Sequence, residues 1–123
     1  MKIMQLLHAS ILVQDLAAAR AFYEGVLGLS LSAQRPDMSF PGAWYEFGAQ
    51  QIHLLALANA PQHIAHEHGG RDRHIALTID DIDALTAKLE AQGIAYTLSR
   101  SGRRALFCRD PDGNALEFVE VKT

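Results

Sequence analysis

An α+β fold made of two tandem βαβββ modules is what three features of this chain predict. The first is an internal repeat. His8-Ala9-Ser10-Ile11-Leu12-Val13-Gln14-Asp15-Leu16 reads like His74-Ile75-Ala76-Leu77-Thr78-Ile79-Asp80-Asp81-Ile82, at a constant offset of 66 (8 to 74, 15 to 81). Ile52-His53-Leu54 then reads like Leu116-Glu117-Phe118, at an offset of 64 (53 to 117). A repeat of this length means one supersecondary unit used twice. The second feature is a change of period inside each copy, from strand-like alternation to apolar residues at helical spacing. The third is the punctuation: Gly28 and Gly93 close the helical stretches, and Asp110-Pro111-Asp112-Gly113-Asn114 is a turn in which Pro sets φ and Gly permits φ > 0. The 123 residues suit a single domain, with module 1 at about 1–58 and module 2 at about 72–121.

In the first module, residues 5–13 are apolar and β-rich. Asp15 is placed to cap a helix whose stripe is Leu16, Ala19, Tyr23, Val26 and Leu27. Strands are expected at 29–35, 43–48 and 51–57, broken by Pro36-Asp37 and Gly48-Ala49. The second module repeats the plan: a strand at 73–79, a helix capped by Asp80 or Asp81 and carrying Ile82, Leu85 and Leu89, and strands at 95–100, 103–109 and 115–121. The connector, about 58–72, holds His63, His66 and His68 and reads as a surface loop without structure of its own. Its histidines read as solvated groups, with a second metal site as the less favoured alternative.

Alternation along the strands places the chemistry. Leu7, Ala9, Ile11 and Val13 share one face of the first strand, opposite His8, Ser10 and Leu12; Ile75, Leu77 and Ile79 lie opposite His74, Ala76 and Thr78. The apolar faces should pack on the helices, leaving both histidines on the other side. His8, His53, His74 and Glu117 are therefore four candidate metal ligands at matching repeat positions. Imidazole and carboxylate suit Zn²⁺, Ni²⁺, Co²⁺, Fe²⁺ or Mn²⁺.

The net charge of −3 gives no electrostatic case for nucleic acid or an anionic membrane, and no apolar run reaches the ~20 residues that span a bilayer. The start of the chain has no signal-peptide pattern, and the single cysteine, Cys108, has no partner for an intramolecular disulfide, so a cytoplasmic setting is expected. Cys108 reads as a core residue. Trp44, Phe40 and Phe107 either line a pocket or fill the core. Arg100, Arg103, Arg104 and Arg109 either meet an anionic substrate or form a solvated hairpin. Glu46, on the same strand face as Trp44, is a base or an edge carboxylate.

At His8, Asp15-Leu16, Ala21-Phe22-Tyr23, Leu27-Gly28-Leu29, His74 and Asp110-Pro111-Asp112-Gly113-Asn114 leading into Leu116-Glu117-Phe118, the chain resembles the vicinal oxygen chelate superfamily. That group includes glyoxalase I, bleomycin-resistance proteins, fosfomycin-resistance enzymes, methylmalonyl-CoA epimerase and extradiol dioxygenases. The resemblance implies an open, curved, barrel-like mixed sheet with helices on its outer face, around one divalent metal held by His8, His53, His74 and Glu117. It implies a lyase or isomerase acting through a metal-stabilised enediolate on a small substrate with two vicinal oxygens, with Glu117 as proton shuttle. From the residues themselves, Trp44, Arg103 and Phe107 are the candidate substrate-binding side chains. The departures are informative. Bacterial glyoxalase I carries a carboxylate where this chain has His53. The arginine and asparagine that meet glutathione are Leu12 and Leu57 here. The serine and tyrosine of fosfomycin-modifying enzymes are Ala105 and Phe107. The alternatives are an Fe(II) extradiol-type dioxygenase using His8, His74 and Glu117, with His53 as a pocket acid or base, and a binding or resistance protein without turnover. Small members of the family often complete the site across a homodimer, and the connector would permit that exchange.

Overall fold

In the computed structural model, which describes residues 1–62, 64–99 and 102–122, the chain divides into two units, Met1–Pro61 and Gln62–Thr123. In the first unit, β1 (His8–Val13) leads into helix α1 (Leu16–Arg20), which runs on as a π turn through Ala21–Val26. β2 (Gly42–Phe47) and β3 (Gln50–Ala56) follow. The sheet order is β1-β3-β2, with β1 parallel and β2 antiparallel to β3. In the second unit, β4 (His74–Ile79), α2 (Ile82–Ala91), β5 (Tyr96–Leu98), β6 (Ala105–Arg109) and β7 (Ala115–Glu120) give the order β4-β7-β6-β5, with β4 parallel to β7. Neither sheet closes on itself. The α+β class and the tandem modules are as the repeat predicts.

The repeat survives at the level of single hydrogen bonds. Asp15 and Asp81 both cap their helices, accepting from Ala18 N and Ala84 N. Gly28 and Gly93 both end them with positive φ, at 75° and 66°. Asp15 to Gly28 is 13 positions, whereas Asp81 to Gly93 is 12. The first helix absorbs its extra residue as the π turn, in which Leu27 N donates to Phe22 O, five residues back. That widening turns Phe22 as well as Tyr23 inward, so both are buried, although helical spacing alone selects only Tyr23. Tyr23 stacks on Tyr45 with ring centroids 5.8 Å apart, and the Tyr45 hydroxyl donates to Glu24.

Gly42 is fixed by space. A Cβ there would collide with the Leu54 carbonyl oxygen, a backbone atom of the paired strand. Gly42→Ala is therefore expected to cost about 1–3 kcal/mol of unfolding free energy, the usual range for overpacking. Urea denaturation checks this; a loss under about 0.5 kcal/mol would mean that β3 yields without cost.

The first strand, expected from residue 5, begins at His8, and Leu7, expected on the face opposite His8, is exposed in the groove beside it. Two further segments differ from expectation. The strand predicted at 29–35 is reduced to a single bridge, Leu31 to Tyr45. Ser32 N donates to Trp44 O, and then Ser32 Oγ accepts from Gln34 N, which turns the chain away before Pro36. Its repeat counterpart, Tyr96 paired with Cys108, keeps a three-residue strand.

The connector is also not structureless. It contains a 3₁₀ turn, Gly69–Arg71, followed by the buried Asp72. Arg109 holds it there: Nη1 donates to Asp72 Oδ2 and Gly113 O, both at 2.8 Å, and Nη2 donates to His66 O at 2.6 Å. Arg109 is thus occupied by the chain itself and does not stand ready for an anionic substrate. The Arg109 guanidinium holds the Asp72 carboxyl below its ordinary value of 3.8; burial opposes this, and the Ala65 and Arg73 amides assist. A depressed carboxyl stabilises the fold above the unfolded-state pKa and loses that contribution as pH falls through the folded value. Urea midpoints should therefore fall between pH 5 and pH 3, and the fall should be shallower in Arg109→Met. An equal slope in both proteins would remove Asp72 from the acid response.

Candidate functional site

Strand register puts the expected ligands at equivalent places in the two sheets. Ser10 pairs with His53 across β1 and β3, and Ala76 pairs with Glu117 across β4 and β7, so each pair keeps the offsets of 66 and 64. On the antiparallel side, Trp44 faces His53 and Phe107 faces Glu117. Trp44 and Phe107 are therefore repeat partners as well. In both sheets Ile11, Leu54 and Tyr45, or Leu116 and Leu106, fill the opposite, helix-covered face.

In the first unit the site is a column of rings. His53 is buried between Trp44, at 3.9 Å and 1° between planes, and His8, at 4.1 Å and 15°. Gln51, two residues before His53 on the same strand face, places Oε1 2.8 Å from His53 Nε2. That oxygen can only accept, so the ring carries its proton on Nε2 and leaves Nδ1 with the lone pair. Burial pushes the His53 imidazole below its usual range, with His8 and then Arg35 adding to the effect. A neutral imidazole is the form that binds a cation. These side chains line an open groove of about 590 Å³, together with Phe40, Met38 and Leu7. Glu46 is exposed, as an edge carboxylate would be.

In the second unit the site is a polar pair. His74 Nε2 lies 3.2 Å from Oε1 of Glu117, whose side chain is only 6% exposed. His74 Nδ1 donates to the Asp72 carbonyl at 2.9 Å. A carbonyl accepts only, so Nδ1 must carry the proton, and the nitrogen facing Glu117 has the lone pair whenever the ring is neutral. A neutral ring and a carboxylate then present two acceptors to one another, an arrangement suited to a cation between them. A ligating histidine fixed through its other nitrogen by a carbonyl is the usual support of a metal site. Arg103 Nη2 donates to the second carboxylate oxygen, Oε2, at 2.9 Å. Phe107 meets the His74 and His68 rings edge-on, at 5.6 and 4.8 Å.

The structure thus brings His8 to His53 and His74 to Glu117. Among the described residues no three His, Cys, Asp or Glu side chains gather into one group. His66 and His68 spend ring nitrogens on the amides of His68 and Gly70, which argues for a structural role in the turn. His63 and Arg100 lie outside the described residues. Arg104 is paired with Asp83 and Glu120. Burial, then Asp110, pushes the Cys108 thiol up to about 12, which makes it an inert core group. Sequence reasoning missed Gln51 and Asp72. Gln51 was legible, since a residue two before His53 shares its face; Asp72 acts partly through its backbone, which carries no sequence signal.

Two such sheets with polar groups at matched repeat positions define a class of duplicated α+β protein, and comparison with known proteins agrees. The model of the Glyoxalase/Bleomycin resistance protein/Dioxygenase superfamily matches residues 5–118, and the chain belongs to this superfamily. It is 34% identical to the lactoylglutathione lyase of Haemophilus influenzae, over 98% of this chain and 95% of that one. It is 31% identical to the YaeR protein of Escherichia coli K12, over 94% and 95%. The crystal structure of a glyoxalase family protein from Bacillus anthracis is similar at a TM-score of 0.76, with 26% identity and 98% of both chains covered. Among the described residues no helix is long and apolar enough to cross a membrane.

Proposed function

We propose that this protein is a metal-dependent lyase or isomerase of the glyoxalase type, acting on a small substrate with two vicinal oxygens. The observation that carries the reading is the His74–Glu117 pair: a nitrogen and an oxygen 3.2 Å apart, with the histidine proton committed to the Asp72 carbonyl. Its repeat partners are His8 and His53. The donor set fits a divalent cation of the Zn²⁺, Ni²⁺, Co²⁺, Fe²⁺ or Mn²⁺ kind, held by His8, His53, His74 and Glu117. Bound there, the metal supplies Lewis acidity toward the substrate oxygens.

The rest is the work of the chain. Glu117 takes the proton from the hydroxyl-bearing carbon next to the carbonyl and returns it at the former carbonyl carbon, while the hydroxyl proton passes to the former carbonyl oxygen; a positioned carboxylate is suited to the carbon-to-carbon transfer. The Asp72 carbonyl orients His74. Arg103 holds Glu117 at Oε2, so Oε1 is the oxygen that faces His74 and the one that would leave the metal to carry a proton. Trp44 bounds the substrate, and Phe107 backs His74 with its ring edge. Similarity to lactoylglutathione lyases supports the reaction class, while Leu12 and Leu57 argue for a substrate other than a glutathione adduct.

Metal analysis of protein purified without chelator, followed by proton exchange at the substrate α-carbon, tests this. Expected is about one equivalent of divalent metal and exchange that stops on chelation. A chain that takes up none of the five metals is a binding protein, and the reading fails. In this reading the two pairs make one centre, within a chain or across a homodimer. Mixed His8→Ala and His74→Ala chains regain activity in the second case only.

One observation favours a second reading. Gln51 occupies His53 Nε2. If His53 is a pocket acid or base, then His8, His74 and Glu117 form a two-histidine, one-carboxylate set for an Fe(II) dioxygenase, and oxygen uptake with catechol identifies it.

A further inference from the structure

The groove of the first unit has a chemistry of its own. Its three parallel rings, Trp44, His53 and His8, form a continuous aromatic column flanked by Phe40, Met38 and Leu7. Leu7 is 60% and Met38 44% exposed, so apolar surface lies open beside the rings. Apolar surface left open in a concave site marks a ligand position. Among the described residues no Asp, Glu, Lys or Arg lines it; its side-chain polar groups are the two histidines, Ser10, Gln51 and the Trp44 indole N–H. The nearby cation that acts on His53, Arg35, has Nη2 donating to the Phe40 carbonyl and its guanidinium over the Phe40 ring. In the second unit Phe107, the repeat partner of Trp44, packs instead against His68, His74, Gly69 and Gly70 and has no parallel ring beside it among the described residues. A volume of about 590 Å³ is within the range of small-molecule sites.

We propose that this groove receives an uncharged planar ring, so that the substrate is an aryl compound bearing the two adjacent oxygens, its ring packed on the Trp44–His53–His8 column. The two oxygens rest on the function proposed above; the ring rests on the groove alone. Parallel ring packing supplies attraction beyond the area buried, and the flexible thioether of Met38 adapts to the ring edge. In the metal-free protein an anion would enter a groove lined by no Lys or Arg among the described residues.

Trp44 is the sole tryptophan, so the ¹⁵N-labelled full chain gives one indole N–H signal. Titration of chelator-treated protein with 2-hydroxyacetophenone, hydroxyacetone and mandelate reads the proposal without any turnover. Expected is a saturable indole shift with 2-hydroxyacetophenone, at a Kd at least about tenfold below those of the ringless hydroxyacetone and the anionic mandelate. Calorimetry on Trp44→Leu should show that ratio collapse toward one. Equal or tighter binding of hydroxyacetone or mandelate, or a shift that never saturates, overturns the proposal, whatever the variant does. The two readings fail separately: ring preference without metal uptake sinks only the lyase function, and turnover without ring preference sinks only this inference.

Discussion

Glu117→Gln is expected to lower turnover at least about 100-fold while leaving the fold intact. The carboxylate is buried at 5% exposure, its Oε1 faces His74 and its Oε2 is held by Arg103. The amide has the same shape and still accepts from Arg103 through its oxygen. What it loses is charge and basicity. A group that moves a proton in the transition state contributes roughly 10²–10⁴ in rate. A carboxylate that also binds a cation adds its loss to metal affinity. Steady-state rates at saturating metal, with metal content measured on the same sample, separate the two. Full turnover with metal bound would remove Glu117 from proton transfer. Arg103→Met is the useful companion, because it frees Oε2 without altering the carboxylate; a rate unchanged in that variant would show that Arg103 only accompanies Glu117.

Leu116→Ala carries the largest expected loss of stability. Leu116 is fully buried on β7, between β4 and β6, and its register neighbours are Ile75 and Cys108. Truncation removes apolar area and leaves a cavity in a strand held on both sides, where collapse is restricted. About 2–5 kcal/mol is the range for such changes. Because alternation sends Leu116 and Glu117 to opposite faces, residual folded protein should retain the site chemistry. Equilibrium denaturation gives the loss, and a value below about 1 kcal/mol would mean that α2 and the sheet close over the gap.

Much of the fold was legible because it is local or periodic. Alternation in His8–Val13 and His74–Ile79 decides which side chains share a face, and two aspartates and two glycines mark the helix ends. The equal offsets even contained the register: since 8 maps to 74 and 53 to 117, a neighbour of His53 on β1 must have its counterpart beside Glu117. Ser10 and Ala76 are those residues. What was not legible depends on partners far along the chain. The strand expected at 29–35 dissolves because Ser32 turns against Trp44, and the connector acquires structure because Arg109 reaches back to Asp72 and His66.

The sequence by itself determined the duplication, the four candidate ligands and the asymmetry of His53 against Glu117, because side-chain period and repeat spacing are properties of the chain alone. Only the tertiary structure decided how each pair is dressed: His53 between two rings with Gln51 on its nitrogen, and His74 with its proton fixed on the Asp72 carbonyl. Those arrangements depend on ring orientation and on a backbone oxygen presented by a turn. Such features follow from packing between distant segments, and residue identity does not encode them.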